Sequence, residues 1–237
     1  MQQIPHRYRL AVTLSQTEGF GSGPFHNTSA FLKLSRHDQT TLTLGFQNVV
    51  RDSDNGFNVG AVFYRQLAFP WSVRGDFYGL GAFNKPRYWQ VVYAPSIARV
   101  INTTTVRLTL VGLDKAPLFG AQIEAVQRLP WHFLISARPA VNRAYGVPGW
   151  FVPLELAYTP TLWFEAHAGA GIGSIAHHAD FTVPAFYNQP ERLTGQFKVG
   201  ADFLVGRRFL IKGYLVGEGY DNGVRLLLPS LTLTAGF

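Results

Sequence analysis

The densest group of side chains able to do chemistry lies in Gly173 to Asp180, GSIAHHAD, which holds Ser174, His177, His178 and Asp180. Ser, His and Asp are the types a hydrolase uses as nucleophile, base and orienting group, provided that His comes within hydrogen-bond reach of the Ser hydroxyl. Spacing along the chain does not establish that reach, and polar loop residues are the plainer reading. Two adjacent histidines bind a metal poorly from a strand, where neighbours point to opposite faces, although in a loop both can turn inward. The run GAGIGS at 169 to 174 resembles a phosphate loop only superficially. It follows an alternating segment and precedes no helix, so small residues relieving crowding explain it better. No pair of acids stands at a spacing that suggests a glycosidase. The absence of Cys excludes a disulfide scaffold, a thiolate metal site and a cysteine nucleophile. No catalytic residue, metal ligand or cofactor is therefore assigned, and an enzyme is not expected.

The elements that would position such groups follow from composition and period. Of 237 residues 47% are hydrophobic and only 15% charged, and 24 Gly, 19 Phe, 10 Tyr and 5 Trp favour strands and tight turns. The formal charge of +7 comes from scattered Lys and Arg, never the clustered stripe of a nucleic-acid binder. No apolar run approaches a membrane-spanning helix, and MQQIPHRYRLAV carries charge where a secretory leader would be apolar. The period is two almost throughout. Leu42, Leu44 and Phe46 alternate with Thr43, Gly45 and Gln47, and Val106, Leu108 and Leu110 alternate with Arg107 and Thr109.

Turn signals divide 1–237 into a single domain of about fourteen strands, or twelve if Pro95, Pro139, Pro153 and Pro229 break some of them. The segments are 5–15, 27–36, 39–50, 56–67, 71–83, 87–98, 104–114, 118–128, 131–141, 150–159, 162–173, 192–205, 208–219 and 223–236. Most are about as long as tilted strands that cross a bilayer, roughly 9 to 11 residues. Short connections alternate with longer polar ones, which predicts an up-and-down meander closed into an antiparallel barrel without a plug. Trp71, Trp131, Trp163 and Phe209 flank short turns and would form an aromatic ring at one membrane interface.

The last strand, LTLTAGF, ends on Phe237, with Ala235 where an aromatic often stands. This ending resembles that of Gram-negative bacterial outer-membrane β-barrel proteins. The resemblance covers the whole chain as architecture and the final seven residues as motif. It implies an all-β transmembrane barrel in the outer membrane, among phospholipid and lipopolysaccharide, delivered by the assembly machinery that reads the C-terminal strand. A mature chain without its signal peptide fits that expectation.

With the apolar face toward lipid, the other face predicts a pore lining of Arg7, Arg9, Lys33, Arg74, Asp76, Arg107, Glu124, Arg138, Glu155, Glu165, His167, Lys198, Asp202, Lys212 and Glu218. A charge at midplane costs about 2–4 kcal/mol on the lipid side, so these groups belong in a wet interior. They can form a structural network of ion pairs, or attract anions into a monomeric pore for small anionic or sugar-like solutes. A rim lipid hydrolase using Ser174 and the following histidines, an export or assembly barrel, and a soluble carbohydrate-binding β domain are the alternatives. The loop from Ser174 to Glu191 is long enough to gate a pore, through His177, His178, Asp180, Phe181, Phe186 and Tyr187. Its aromatics favour packing on the rim or inside, and its histidines change charge around pH 6 to 7 when unperturbed.

Overall fold

The computed structural model describes residues 8–21, 25–36, 40–51, 54–82, 85–101, 104–113, 118–144, 146–176, 178–180, 185–187, 191–206 and 208–236. They form β1 (Tyr8–Gly21), β2 (Phe25–Arg36), β3 (Thr40–Arg51), β4 (Asp54–Gln66), β5 (Trp71–Ala82), β6 (Lys85–Ile101), β7 (Thr104–Leu113) and β8 (Leu118–Arg128). These are followed by β9 (Phe133–Ala137), β10 (Ala140–Ala144), β11 (Val147–Thr161), β12 (Phe164–Ile175), β13 (His178–Asp180), β14 (Ala185–Tyr187), β15 (Leu193–Val205), β16 (Phe209–Tyr220) and β17 (Arg225–Gly236). Fifteen strands make one antiparallel sheet, and β13 with β14 makes a separate hairpin. β9 and β10 are halves of one wall strand, since both pair with β8 on one side and β11 on the other. Counting those halves once leaves fourteen wall strands from the fifteen.

The last wall strand returns to the first. β17 pairs with β1 from Ala11↔Gly236 to Gly21↔Leu226, so the ring of pairings is closed. Closure matters because hydrocarbon offers no partner to a free backbone N–H or C=O, and an open sheet edge there costs several kcal/mol per group. The side chains follow the period. On β3 the exposed Leu42, Leu44 and Phe46 alternate with partly buried Thr41 and Thr43, and on β6 the exposed Val91, Tyr93 and Ile97 alternate with buried Val92, Ala94, Ser96 and Ala98. A belt of exposed Leu, Val, Ile and Phe runs round the outside, which water would not tolerate but lipid favours.

Pro139 falls in the break between β9 and β10. The ladder survives because the Ile123 N–H donates to the Pro139 carbonyl at 3.0 Å and the Arg138 N–H to the Pro153 carbonyl at 3.1 Å. Pro153 and Pro229 stay inside β11 and β17, opposite Gly171 and Leu215. At Ala94 and Pro95 the β6–β7 pairing lapses and resumes in the same register, from Tyr93↔Gly112 to Ser96↔Thr109.

The long connections expected opposite the short turns are mostly strand. β1 runs on to Gly21 and β2 starts at Phe25, so much of 16–26 is paired wall. β10 likewise reaches Ala144 before β11 begins at Val147. Ladder bonds to neighbouring strands override the turn propensity of Gly, Ser and Asn there. Only the connection from β12 to β15 stays long, and it carries the β13–β14 hairpin. Trp71, Trp131, Trp163 and Phe209 all lie at the short-turn end and all are exposed. The Arg99 guanidinium lies 5.1 Å from the Trp71 ring centre. Trp131 and His132 turn the chain between β8 and β9 at φ 57° and 66°.

Candidate functional site

The inner wall divides into two arcs. The charged arc begins on β5, where the Arg74 guanidinium grips Asp76 through Nη2–Oδ1 at 2.6 Å and Nε–Oδ2 at 2.9 Å. Asp76 is 1% exposed, so this two-pronged pair satisfies a carboxylate that would be costly to bury alone. Beside it, Arg74, Asp76, Ser96, Arg107, Thr109, Gln122 and Glu124 line a recess of about 40 Å³, room for a few waters.

From there an ion-pair ladder crosses the wall. Arg107 lies 3.1 Å from Glu124, its direct cross-strand partner. Arg138, in the break between β9 and β10, reaches Glu124 at 3.1 Å and Glu155 at 3.8 Å. Glu155 also meets His167 Nδ1 at 3.1 Å and Lys198 Nζ at 3.3 Å. Beyond His167, Lys212 pairs with Asp202 at 2.8 Å and the Tyr214 hydroxyl donates to Asp202 at 2.5 Å. The Thr159 hydroxyl donates to Glu165 at 2.6 Å.

Two glycines make this ladder continuous. Gly169 is the cross-strand partner of both Glu155 and Lys198, so it stands between them. A Cβ there would lie 2.8 Å from the Leu154 carbonyl, and its absence lets Glu155 reach across β12 to Lys198. Gly200 stands likewise between His167 and Tyr214, whose rings meet with centroids 5.5 Å apart. The Lys198 ammonium lies 4.4 Å from the centre of that same Tyr214 ring. Farther along, buried Glu218 accepts from Gln196 at 3.1 Å and from the Tyr220 hydroxyl at 2.6 Å.

The second arc, formed by β17 and β2 to β4, is different. Its described inward positions include Ser29, Ser35, Thr41, Thr43, Ser230, Thr232 and Thr234, with Lys33 exposed among them. Arg9 is placed on β1 by register alone, opposite Ser35.

Above the charged arc, at the end away from the short turns, Phe151, Ile175, Leu193, Tyr220, Leu226 and Leu228 form a buried apolar cluster. The roots of the β13–β14 hairpin are pinned beside it. The Asn142 amide donates to the Ala176 carbonyl. Arg192 donates from Nε to the Ser174 hydroxyl at 2.7 Å and from Nη2 to the carbonyls of Ser174 and Pro148. The Arg192 N–H donates to the Asp221 carboxylate at 3.1 Å. Ser174 is thus held by Arg192. His178, Asp180, Phe186 and Tyr187 are placed by backbone register in the hairpin, whereas Arg7, His177, Phe181 and Phe237 lie outside the described residues.

The structure therefore gathers Arg107, Glu124, Arg138, Glu155, Glu165, His167, Lys198, Asp202 and Lys212 into one network, sets Arg74 with Asp76 at its flank, and leaves Lys33 on the opposite arc. Sequence reasoning missed Thr159 as a member of that network, and Arg192 as the pin. It read the small residues of 169–174 as relieving crowding, which Gly169 does between Glu155 and Lys198, but missed the like role of Gly200.

No family model matches the chain, and neither does any curated protein. Solved structures do match over almost all of it. The CymD monoaromatic hydrocarbon channel superposes with a TM-score of 0.65 at 9% identity, covering 99% of this chain and 90% of that one. A bacterial polysaccharide outer membrane secretin gives 0.65 at 9%, covering 99% and 100%. The outer membrane protein Omp33 of Acinetobacter baumannii gives 0.58 at 8%, covering both chains completely. Cargo differs among these names while architecture does not, so the likeness speaks for the fold. Fourteen wall strands, a closed ring of pairings, an apolar outer belt and these matches agree: the chain has the fold of a Gram-negative outer-membrane β-barrel protein.

Proposed function

We propose that this barrel is a passive outer-membrane channel for small polar solutes, sugar-like or anionic, with a weak preference for anions. The observation that carries the reading is an inner face that is polar and partly solvent-open within an apolar-faced closed sheet. Lys33 is exposed at an inward position, and the Glu165 and Lys212 side chains keep 38% and 35% of their surface open. A lumen packed solid would bury such groups. In the ladder four cations, Arg107, Arg138, Lys198 and Lys212, face four carboxylates, Glu124, Glu155, Glu165 and Asp202. That balance keeps charge selectivity weak, and Lys33 on the neutral arc tips it toward anions. The channel works as a monomer over 1–237, surrounded by phospholipid and lipopolysaccharide, after assembly through its C-terminal strand.

Conductance in planar bilayers tests this reading, with reversal potentials measured under a KCl gradient and sugar entry read by liposome swelling. Steady conductance with a small anion-directed reversal potential is expected. A non-conducting, correctly inserted barrel overturns it in favour of an assembly component. The segment from Ser174 to Glu191 serves as the constriction, because both its roots are pinned at the mouth. Removing 177–190 raises conductance; unchanged conductance would reassign the hairpin to an outer surface.

A further inference from the structure

We propose that Glu165, His167 and Asp202 form a binding site for a first-row divalent cation of the zinc type, set in the charged arc and open to the lumen. The ligand atoms of the three residues lie within 4.8 Å of one another. His167 Nε2 stands 3.1 Å from Glu165 Oε1 and 3.7 Å from Asp202 Oδ1. It makes no hydrogen bond, although the His167 side chain is only 9% exposed. A buried ring nitrogen this close to two carboxylate oxygens, with no aligned hydrogen bond to either, leaves a place for a cation among the three. The spacing suits a cation between them: zinc bonds of about 2.0–2.2 Å at tetrahedral angles put ligand atoms roughly 3.3–3.5 Å apart.

The surrounding contacts aim all three ligands at one point. Glu155 holds His167 by Nδ1 at 3.1 Å, the carboxylate-to-imidazole arrangement that fixes a metal-binding tautomer and leaves the Nε2 lone pair free. Thr159 occupies the other oxygen of Glu165 at 2.6 Å, and Lys212 the other oxygen of Asp202 at 2.8 Å. The Tyr214 hydroxyl bonds Asp202 Oδ1, which retains a second lone pair for a cation. Around the imidazole stand the carboxylates Glu155, Glu165 and Asp202 against the ammoniums Lys198 and Lys212, with Arg138 shared between Glu155 and Glu124. One nitrogen and two oxygens favour zinc, cobalt or nickel over magnesium or calcium, which prefer all-oxygen shells. Glu165 faces the lumen with over a third of its side chain exposed, so water from the lumen completes the coordination.

The test uses the folded, full-length barrel in detergent. Zn²⁺ alone is titrated calorimetrically, and Co²⁺ is followed by its visible absorption bands. One ion per chain is expected. Affinity should fall roughly 100-fold or more in His167→Gln, and roughly 10- to 100-fold in Glu155→Gln, which touches no ion directly. Folding is checked by heat-modifiable electrophoretic mobility. Should His167→Gln not fold, Glu165→Gln replaces a lumen-facing group and gives the same reading. Absence of saturable Zn²⁺ binding by the unaltered barrel overturns the proposal, as does affinity unchanged in His167→Gln and Glu165→Gln. Binding is read without any conductance measurement, so failure of the channel reading and failure of this one are separate results.

Discussion

The two arcs of the inner wall solve the same problem by different means. On β17, β2 and β3 many of the described inward positions are small hydroxyl side chains, Ser29, Ser35, Thr41, Thr43, Ser230, Thr232 and Thr234, which bond over short range. On β5 to β16 the inward positions also carry long charged side chains, and nearly every one of these reaches a partner one or two strands away. The first arc is therefore tolerant and the second coupled. Register slip in the first costs a few weak bonds, whereas in the second it would separate Glu155 from Arg138, Lys198 and His167 at once. The coupled arc helps to specify the barrel's register, and in the proposed channel the neutral arc is the side that leaves room for solute.

Glu155→Ala is the strongest way to break that contrast. It strips Arg138, Lys198 and His167 of their shared carboxylate, and about 3 kcal/mol of stability is expected to be lost, because a desolvated charge left without its partner is worse than no pair. Denaturant unfolding followed by tryptophan fluorescence in lipid vesicles measures it; a loss within about 0.5 kcal/mol, the range of an ordinary surface change, would make the arcs equivalent. Gly171→Ala probes the apolar cluster above the ladder. A Cβ there would lie 2.7 Å from the Phe151 ring, and overpacking of this kind costs about 1–3 kcal/mol. Gly213→Ala is its control, since nothing lies within 4 Å. Thr43→Val on the neutral arc should change stability by less than about 0.5 kcal/mol in the same assay. The smallest effect on stability and the clearest on selectivity belongs to Lys33→Glu. Unfolding should be unmoved, while the reversal potential under a KCl gradient shifts toward cations; an unchanged potential would place the selecting charges on the ladder instead.

The wall strands were legible because lipid demands an apolar face, and every second residue of Thr41 to Gln47 or Val106 to Val111 supplies one. Short turns were legible from Pro-Trp pairs such as those at 70–71 and 130–131. The stretch 16–26 was not, because QTEGFGSGPFH, broken by three Gly and a Pro, has no alternating apolar face to announce a strand. Pairing with neighbours holds 16–21 and 25–26 extended all the same. Of the charged network, the inward side of each residue followed from parity, but partners did not. Asp202 meets Glu165 only because β12 and β15 are in one particular register, with a long insertion between them. The Glu165 and His167 pair, two apart on one strand and so on one face, was the single local signal of that site. Arg138 reaches two carboxylates from a break that Pro139 creates, and no spacing rule foresees where a broken strand will aim its side chain.

Trp131 carries a consequence of its own. It sits in the left-handed region at φ 57° with 83% of its surface exposed. A bulky residue pays about 1–2 kcal/mol to be there, in a turn where Asn or Gly would be at ease. In the proposed membrane setting it gains a ring held out at the level of the headgroups. The turn is thus a depth gauge: it rests easily only where the interface meets that ring. A bilayer too thin or too thick presents the wrong medium to it, and the barrel answers by tilting or by drawing the lipid to its own height.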